Sequence, residues 1–207
     1  MPLTLHLVRH GRTVYNTEHR FQGWCDSPIT SFGLEGVRET AAALADVPFV
    51  AAYASPLGRT VATAREILRF HPGLRLVTDA DLRELNFGEL EGALEAPFWA
   101  EHDHHEFWTA MIDGSHPGLP GGESSQEFRT RAARAFDRIA AAHPDGDVLV
   151  VAHGALLRMH LTLTELASGV TPTATPLANA SVSRIVIDNG AARVAAVGEV
   201  PEPALVG

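Results

Sequence analysis

A chain of 207 residues with 45% apolar and 20% charged residues has the size and composition of one globular domain, able to bury roughly 70% of its unfolded surface with no disulfide or metal staple. Its net charge of −9 excludes the broad basic footprint of general nucleic-acid binding, and no apolar run approaches the roughly 20 residues of a membrane helix. A single cysteine, Cys25, excludes an intrachain disulfide, and MPLTLHLVRHGRT carries no basic leader followed by an apolar run, so the expectation is a cytoplasmic protein in a reducing compartment.

In chain order the pattern alternates strand and helix. Leu3 to Val8 is a short apolar strand that runs into the turn signal His10-Gly11. A helix is predicted over Phe32 to Ala45 with Thr30 or Ser31 as its cap, then a strand over Phe49 to Ala54. Ser55-Pro56 suits the opening of a helix reaching about Phe70, with Ser as cap and Pro in the first turn, and Leu74 to Thr78 reads as a strand. Residues 93–122, rich in His, Trp, Phe, Pro and Gly, read as a short helix over Ala96 to Ile112 and the loop GSHPGLPGGES, an insertion expected to act as a lid. Ser124 to His143 is a long amphipathic helix with Phe128, Ala132, Ala135, Phe136 and Ile139 on one face. Asp147 to Ala152 contains the buried-strand run VLVVA, Gly154 to Ala167 is a helix, and strands Ser181 to Ile187 and Arg193 to Val197 flank the hairpin signal Asp188-Asn189-Gly190. The fold class that follows is α/β, a three-layer α/β/α sandwich on a mainly parallel central sheet, with the whole chain as one domain.

In such sheets ligands bind beyond the carboxyl ends of the strands. Three polar clusters fall there: Arg9-His10, Ser55 to Arg59, and His153-Gly154. Two arginines and two histidines at three strand ends make an anion trap of the kind phosphoryl transfer requires. There is no lysine, so every fixed cation is an arginine, the better bidentate partner for phosphate, although Ala-, Gly-, Pro- and Arg-rich composition is the simpler cause. Neutral imidazole near pH 7 can serve as nucleophile, and a leaving alkoxide needs a nearby proton donor. Glu84 is best placed by context for that role, with Glu89 and Glu91 behind it.

LVRHGRT at 7–13 with Asn16, FQGWCDSPIT at 21–30, SPLGRTVATA at 55–64, LRELNFGELEG at 82–92, PGGES at 120–124 and VVAHGALLR at 150–158 resemble, in order, the motifs of the histidine phosphatase superfamily, the phosphoglycerate-mutase-like fold. The resemblance implies His10 as the phosphorylated nucleophile, Arg9, Arg59 and His153 as its phosphate pocket, and Glu84 as general acid and then base. It implies Asn16 near the phosphate and Gln22 and Gly23 at the substrate mouth; Gly154 offers a backbone N–H at a helix start. No metal or other cofactor is implied, and the expected partner is a small phosphorylated substrate. Arg12 departs from the family, where Glu or Gln is frequent, and reads as a surface exchange or an added cation at the pocket mouth.

FGELEG looks like the phosphatase branch, and relatives resembling glycolytic mutases carry more basic residues and a longer insertion. The leading expectation is therefore hydrolysis of small phosphate monoesters. The alternatives are a mutase, a phosphoprotein phosphatase, and a non-catalytic phosphate-binding protein on the same fold. His102, His104, His105 and His116 with Glu101, Asp103 and Glu106 have some metal-site character through i, i+4 spacing, but a polar helix face explains them more simply. Phe98, Trp99, Phe107 and Trp108 read equally as pocket lining or core, and Asn179-Ala180-Ser181 as a sequon without meaning in this context. The last hairpin and the tail from Val200 read as a frayed end or as an edge for pairing into a homodimer.

Overall fold

A computed structural model describes residues 1–201; the tail beyond them, on which the frayed-end reading partly rests, lies outside the described residues. Six strands, β1 (Leu3–Arg9), β2 (Phe49–Ala54), β3 (Leu76–Thr78), β4 (Gly146–Ala152), β5 (Val182–Asp188) and β6 (Ala191–Glu199), form one sheet in the order β3-β2-β4-β1-β5-β6. The first four in that order pair in parallel, and β5 and β6 add antiparallel to β1. The helices are α1 (Val14–Glu18), α2 (Ser31–Ala43), α3 (Gly58–Ile67), α4 (Glu95–Glu101), α5 (His104–Asp113), α6 (Ser125–Ala142) and α7 (Gly154–Ala167).

The apolar run of β4 is buried on both faces, and its period of two divides the core. Leu149 and Val151, with Val8, Ala52 and Ala54, pack against Ala41 of α2 and Ala64 and Ile67 of α3. Val148 and Val150, with Leu5 and Leu7, pack against Phe128, Ala132, Ala135 and Phe136 of α6 and Leu156 and Leu161 of α7. This is the expected α/β/α sandwich. The α6 stripe is in place, and its start is fixed by a capping box in which Ser124 accepts from the Glu127 N–H and Glu127 accepts from the Ser124 N–H. Asn189 and Gly190 both have positive φ, 48° and 80°, the backbone a two-residue type I′ hairpin turn demands.

Three element readings are corrected, and one short helix is added. The helix after β2 starts at Gly58 with Leu57 as its cap; Ser55 gives no cap, because Ser55 and Pro56 are used to leave the strand. The single helix expected over Ala96 to Ile112 is two, broken at His102 and Asp103, where Asp103 caps α5 by accepting the Glu106 N–H. The break removes the i, i+4 spacing that gave Glu101/His105 and His102/Glu106 their metal-site character. Thr13 and Asn16 build a capping box for the one-turn helix α1, too short to leave a periodic signal. The strand expected from Leu74 begins at Leu76. Among the described residues no helix is long and apolar enough to cross a membrane.

Phe128 is fully buried between α6 and the sheet. Phe128→Ala should cost about 3–5 kcal/mol, read as a lower urea midpoint at unchanged slope.

Candidate active site

The register of the sheet assembles the centre of the site. Arg9 pairs with Ala152 across the parallel β1–β4 ladder, and the His10 N–H donates to the Ala152 carbonyl at 3.0 Å. The residues just past the two strand ends are therefore neighbours, and the His10 and His153 rings lie 5.3 Å apart. Both are buried. The His10 Nδ1 sits 2.9 Å from the Gly11 carbonyl; a carbonyl only accepts, so Nδ1 carries the proton and Nε2 holds the free lone pair. Burial, followed by the Arg59 and Arg9 charges, holds His10 well below its ordinary pKa, and the same surroundings do so for His153. Both rings are neutral at pH 7.

Arg59, from the first turn of α3, has a side chain with no exposure. Its Nη1 donates to the Cys25 carbonyl and the Asp26 carboxylate, and its Nη2 to the Gln22 and Gly23 carbonyls. The turn presenting those carbonyls is held from behind by Glu91, whose carboxylate accepts the N–H groups of Gly23, Trp24, Cys25 and Phe87 at 2.9–3.1 Å. Burial alone pushes the Glu91 carboxyl up, but the Cys25 thiol and the backbone N–H donors outweigh it and hold it below its ordinary value. Glu91 is thus a structural anchor, not a proton donor.

Glu84 is buried between the loop after β3 and the start of α7. Its carboxyl oxygens accept the N–H groups of Leu85, Ala155 and Leu156 at 2.9–3.0 Å. Burial raises its pKa and outweighs those donors, so the carboxyl holds its proton to a higher pH than an exposed glutamate does. Two N–H groups of the α7 start are thereby committed to Glu84, and Gly154 keeps its own. Arg131 fixes the Glu84 backbone by donating to its carbonyl while forming a two-point pair with Glu123.

A cavity of about 880 Å³ opens above this cluster. Six of the nine residues selected from the sequence line it: Arg9, His10, Asn16, Gln22, Glu84 and Gly154. Arg59 and His153 are buried beside His10 and are not among the lining residues, and Gly23 is used in the loop that holds Arg59. Gln22 spends its side chain on Thr13 and Ser27. Asn16 accepts at Oδ1 from the Thr13 N–H and the Asn179 amide. Among the described residues, Arg9 Nε, Arg59 Nε and both ring nitrogens of His153 are buried with no hydrogen-bond partner. Native interiors seldom tolerate such groups; these four lie around His10, while the other two of the kind, His6 Nδ1 and His71 Nε2, lie beside Phe49. Arg12 lines an adjoining depression of about 480 Å³ that shares Arg9 and Asn16 with the main cavity.

Sequence reasoning missed three supports. Arg131 was legible as a charge in phase with the apolar stripe of α6. The Asn179 amide also donates to the His10 carbonyl, so this residue acts locally and not as a sequon. Glu91 was weighed only as an acid, because nothing in FGELEG shows which backbone its side chain meets.

The chain resembles known proteins over most of its length. A family profile described as the histidine phosphatase superfamily (branch 1) matches residues 5–200. The 2,3-bisphosphoglycerate-dependent phosphoglycerate mutase 2 of Gloeobacter violaceus is 35% identical over 158 residues, 73% of this chain and 71% of the relative. The crystal structure of phosphoglycerate mutase from Bacillus anthracis superposes with a TM-score of 0.77 at 30% identity, covering 96% of this chain and 94% of that one. A mycobacterial glucosyl-3-phosphoglycerate phosphatase solved with VO3 superposes with a TM-score of 0.80 at 25% identity, covering 94% and 98%.

Glu91→Ala leaves four N–H donors without their acceptor and should cost about 2–4 kcal/mol of stability at neutral pH. Because folding lowers the Glu91 pKa, its contribution is complete above the unfolded value and is lost as pH falls through the folded one. Urea unfolding across pH should show the gap between the two proteins narrowing on acidification.

Proposed function

The chain belongs to the histidine phosphatase superfamily, branch 1, and we propose that within it this protein hydrolyses phosphate monoesters through a phosphohistidine on His10. The observation that carries the reading is the convergence of unpartnered buried nitrogens of Arg9, Arg59 and His153 around a neutral His10 whose Nε2 is free. A dianionic phosphoryl group supplies acceptors for Arg9 Nε, Arg59 Nε and the one protonated ring nitrogen of His153.

In the first step the His10 Nε2 attacks phosphorus and the P–O bond to the alcohol breaks. The leaving oxygen takes the proton that Glu84 retains in its buried site. Arg9, Arg59, His153 and the Asn16 amide hold the three equatorial oxygens. In the second step Glu84, now a carboxylate, removes a proton from water, water attacks phosphorus, and the P–N bond returns its electrons to His10. A neutral imidazole nucleophile and a carboxyl whose pKa burial raises are what the two steps use.

A phosphoglycerate mutase reading is favoured by the names of the 35%-identical Gloeobacter relative and of the 30%-identical Bacillus anthracis structure. Phosphorus NMR of 3-phosphoglycerate incubated with the protein separates the two: inorganic phosphate marks the hydrolase, 2-phosphoglycerate the mutase.

Phosphate release from an aryl phosphate should survive excess EDTA and fall at least about 10³-fold in His10→Ala, with the label from a phosphorus-32 substrate absent from the protein. Dependence on added metal overturns the mechanism. For wild type, kcat/KM should fall on the acid side as His10 is protonated, at a pH below its ordinary value of 6.5, and on the alkaline side as Glu84 ionises. Glu84→Gln should lose about 10²–10⁴-fold toward alkyl phosphates and lose the alkaline limb.

A further inference from the structure

Glu84 is held twice, once by its carboxyl and once by its backbone. Its carbonyl oxygen accepts two donors, Arg131 Nη2 and the indole N–H of Trp24, each at 3.0 Å, so both lone pairs are used. That carbonyl and the Leu85 N–H belong to one planar peptide unit, in which they point in opposite directions. The Leu85 N–H in turn donates to Glu84 Oε1 at 3.0 Å. The donors on the carbonyl therefore aim the N–H that holds the carboxyl.

Trp24 reaches Glu84 from 60 positions away because the turn that carries it lies directly against this segment. A Cβ at Gly23 would stand 2.1 Å from the Leu85 carbonyl oxygen, an approach that only glycine permits. The backbone N–H of Trp24 is anchored on Glu91 at 2.9 Å. The Arg83 guanidinium lies over the Trp24 ring, 4.0 Å from its centroid, and holds the plane of the indole. Residues 83 and 84 thus grip the face and the N–H edge of one ring. The same turn gives Arg59 the Gln22, Gly23 and Cys25 carbonyls, so Trp24 ties the cradle of the buried guanidinium to the position of the buried carboxyl.

Resting on the hydrolase reading of the same site, we propose that Trp24 is a positioning residue: its indole N–H fixes the 84–85 peptide unit and through it directs the Glu84 carboxyl at the leaving oxygen. Trp24 is not among the residues lining the main cavity and acts through Glu84. A proton donor displaced by about 1 Å loses much of its catalytic advantage, so the effect of losing the indole donor falls on the step in which Glu84 gives its proton.

The test compares kcat/KM for phenyl phosphate and 4-nitrophenyl phosphate, which differ little in shape but much in how strongly the departing oxygen needs a proton. With phosphoryl transfer to His10 irreversible, kcat/KM excludes the later attack of water. Trp24→Phe keeps an aromatic ring and removes the donor. It should lower kcat/KM about tenfold for phenyl phosphate and less than about twofold for 4-nitrophenyl phosphate. Trp24→Leu, a second loss of the donor, should repeat that result, while Trp24→Gln returns an N–H donor without the ring and should keep most of the wild-type ratio. With Glu84→Gln in place, Trp24→Phe should change the ratio no further. The ratio is internal to each variant, so partial misfolding does not imitate the effect. If Trp24→Phe leaves the ratio at its wild-type value, if Trp24→Gln changes it as much as Trp24→Phe does, or if the change persists beside Glu84→Gln, the inference is overturned and the hydrolase reading stands. If wild type hydrolyses neither ester and His10 takes no label, the hydrolase reading falls and the inference with it.

Discussion

Burying the Arg59 charge is the constraint on which the site depends. A guanidinium with no exposure is stable only where its donors are met, and four of them are met by the Gln22, Gly23 and Cys25 carbonyls and Asp26. A chain presenting three carbonyls inward must turn its N–H groups elsewhere. Glu91 collects three of them, and so one carboxylate two contacts away from His10 sets where the charge sits. The segment from Glu84 to Glu91 therefore does two jobs at its two ends: one glutamate holds the loop that holds the arginine, the other caps α7 and faces the cavity.

Burial, more than any single charge, sets protonation across the site. Desolvation is the largest influence on His10, His153 and Glu84 alike, and Arg59 contributes to each. Low dielectric keeps the imidazoles neutral and raises the pKa of the carboxyl, while the arginines stay charged because no physiological pH removes their proton. An acidic chain of net charge −9 thus holds the charges of Arg9 and Arg59 together at the end of its sheet. The net charge speaks of the exterior alone; local geometry decides the interior.

The architecture was legible because its signals are local. VLVVA, the 3.6-residue stripe of α6 and the Asn189-Gly190 turn each declare an element from a few neighbouring residues, and the parallel order follows from their alternation. The strand ends were legible for the same reason, and they delivered His10, His153 and Arg59 to one region. What was hidden depends on partners distant in sequence. Glu91 meets the 23–25 turn from 66 to 68 positions away, and Arg131 meets Glu84 from 47 away. No periodicity records such pairings. The break between α4 and α5 falls in the all-polar run from Glu101 to Glu106, where Asp103 offers a cap.

The bond from His10 Nδ1 to the carbonyl of its own neighbour, Gly11, has a consequence for the isomer of any covalent adduct. An imidazole free in solution can be phosphorylated on either nitrogen, giving two regioisomers of different lability. Here one nitrogen is occupied by the backbone that follows it, a contact made within two residues and independent of any ligand. Adduct formation on His10 is therefore regiochemically single, at Nε2, whichever donor arrives, and the selection is made when the chain folds.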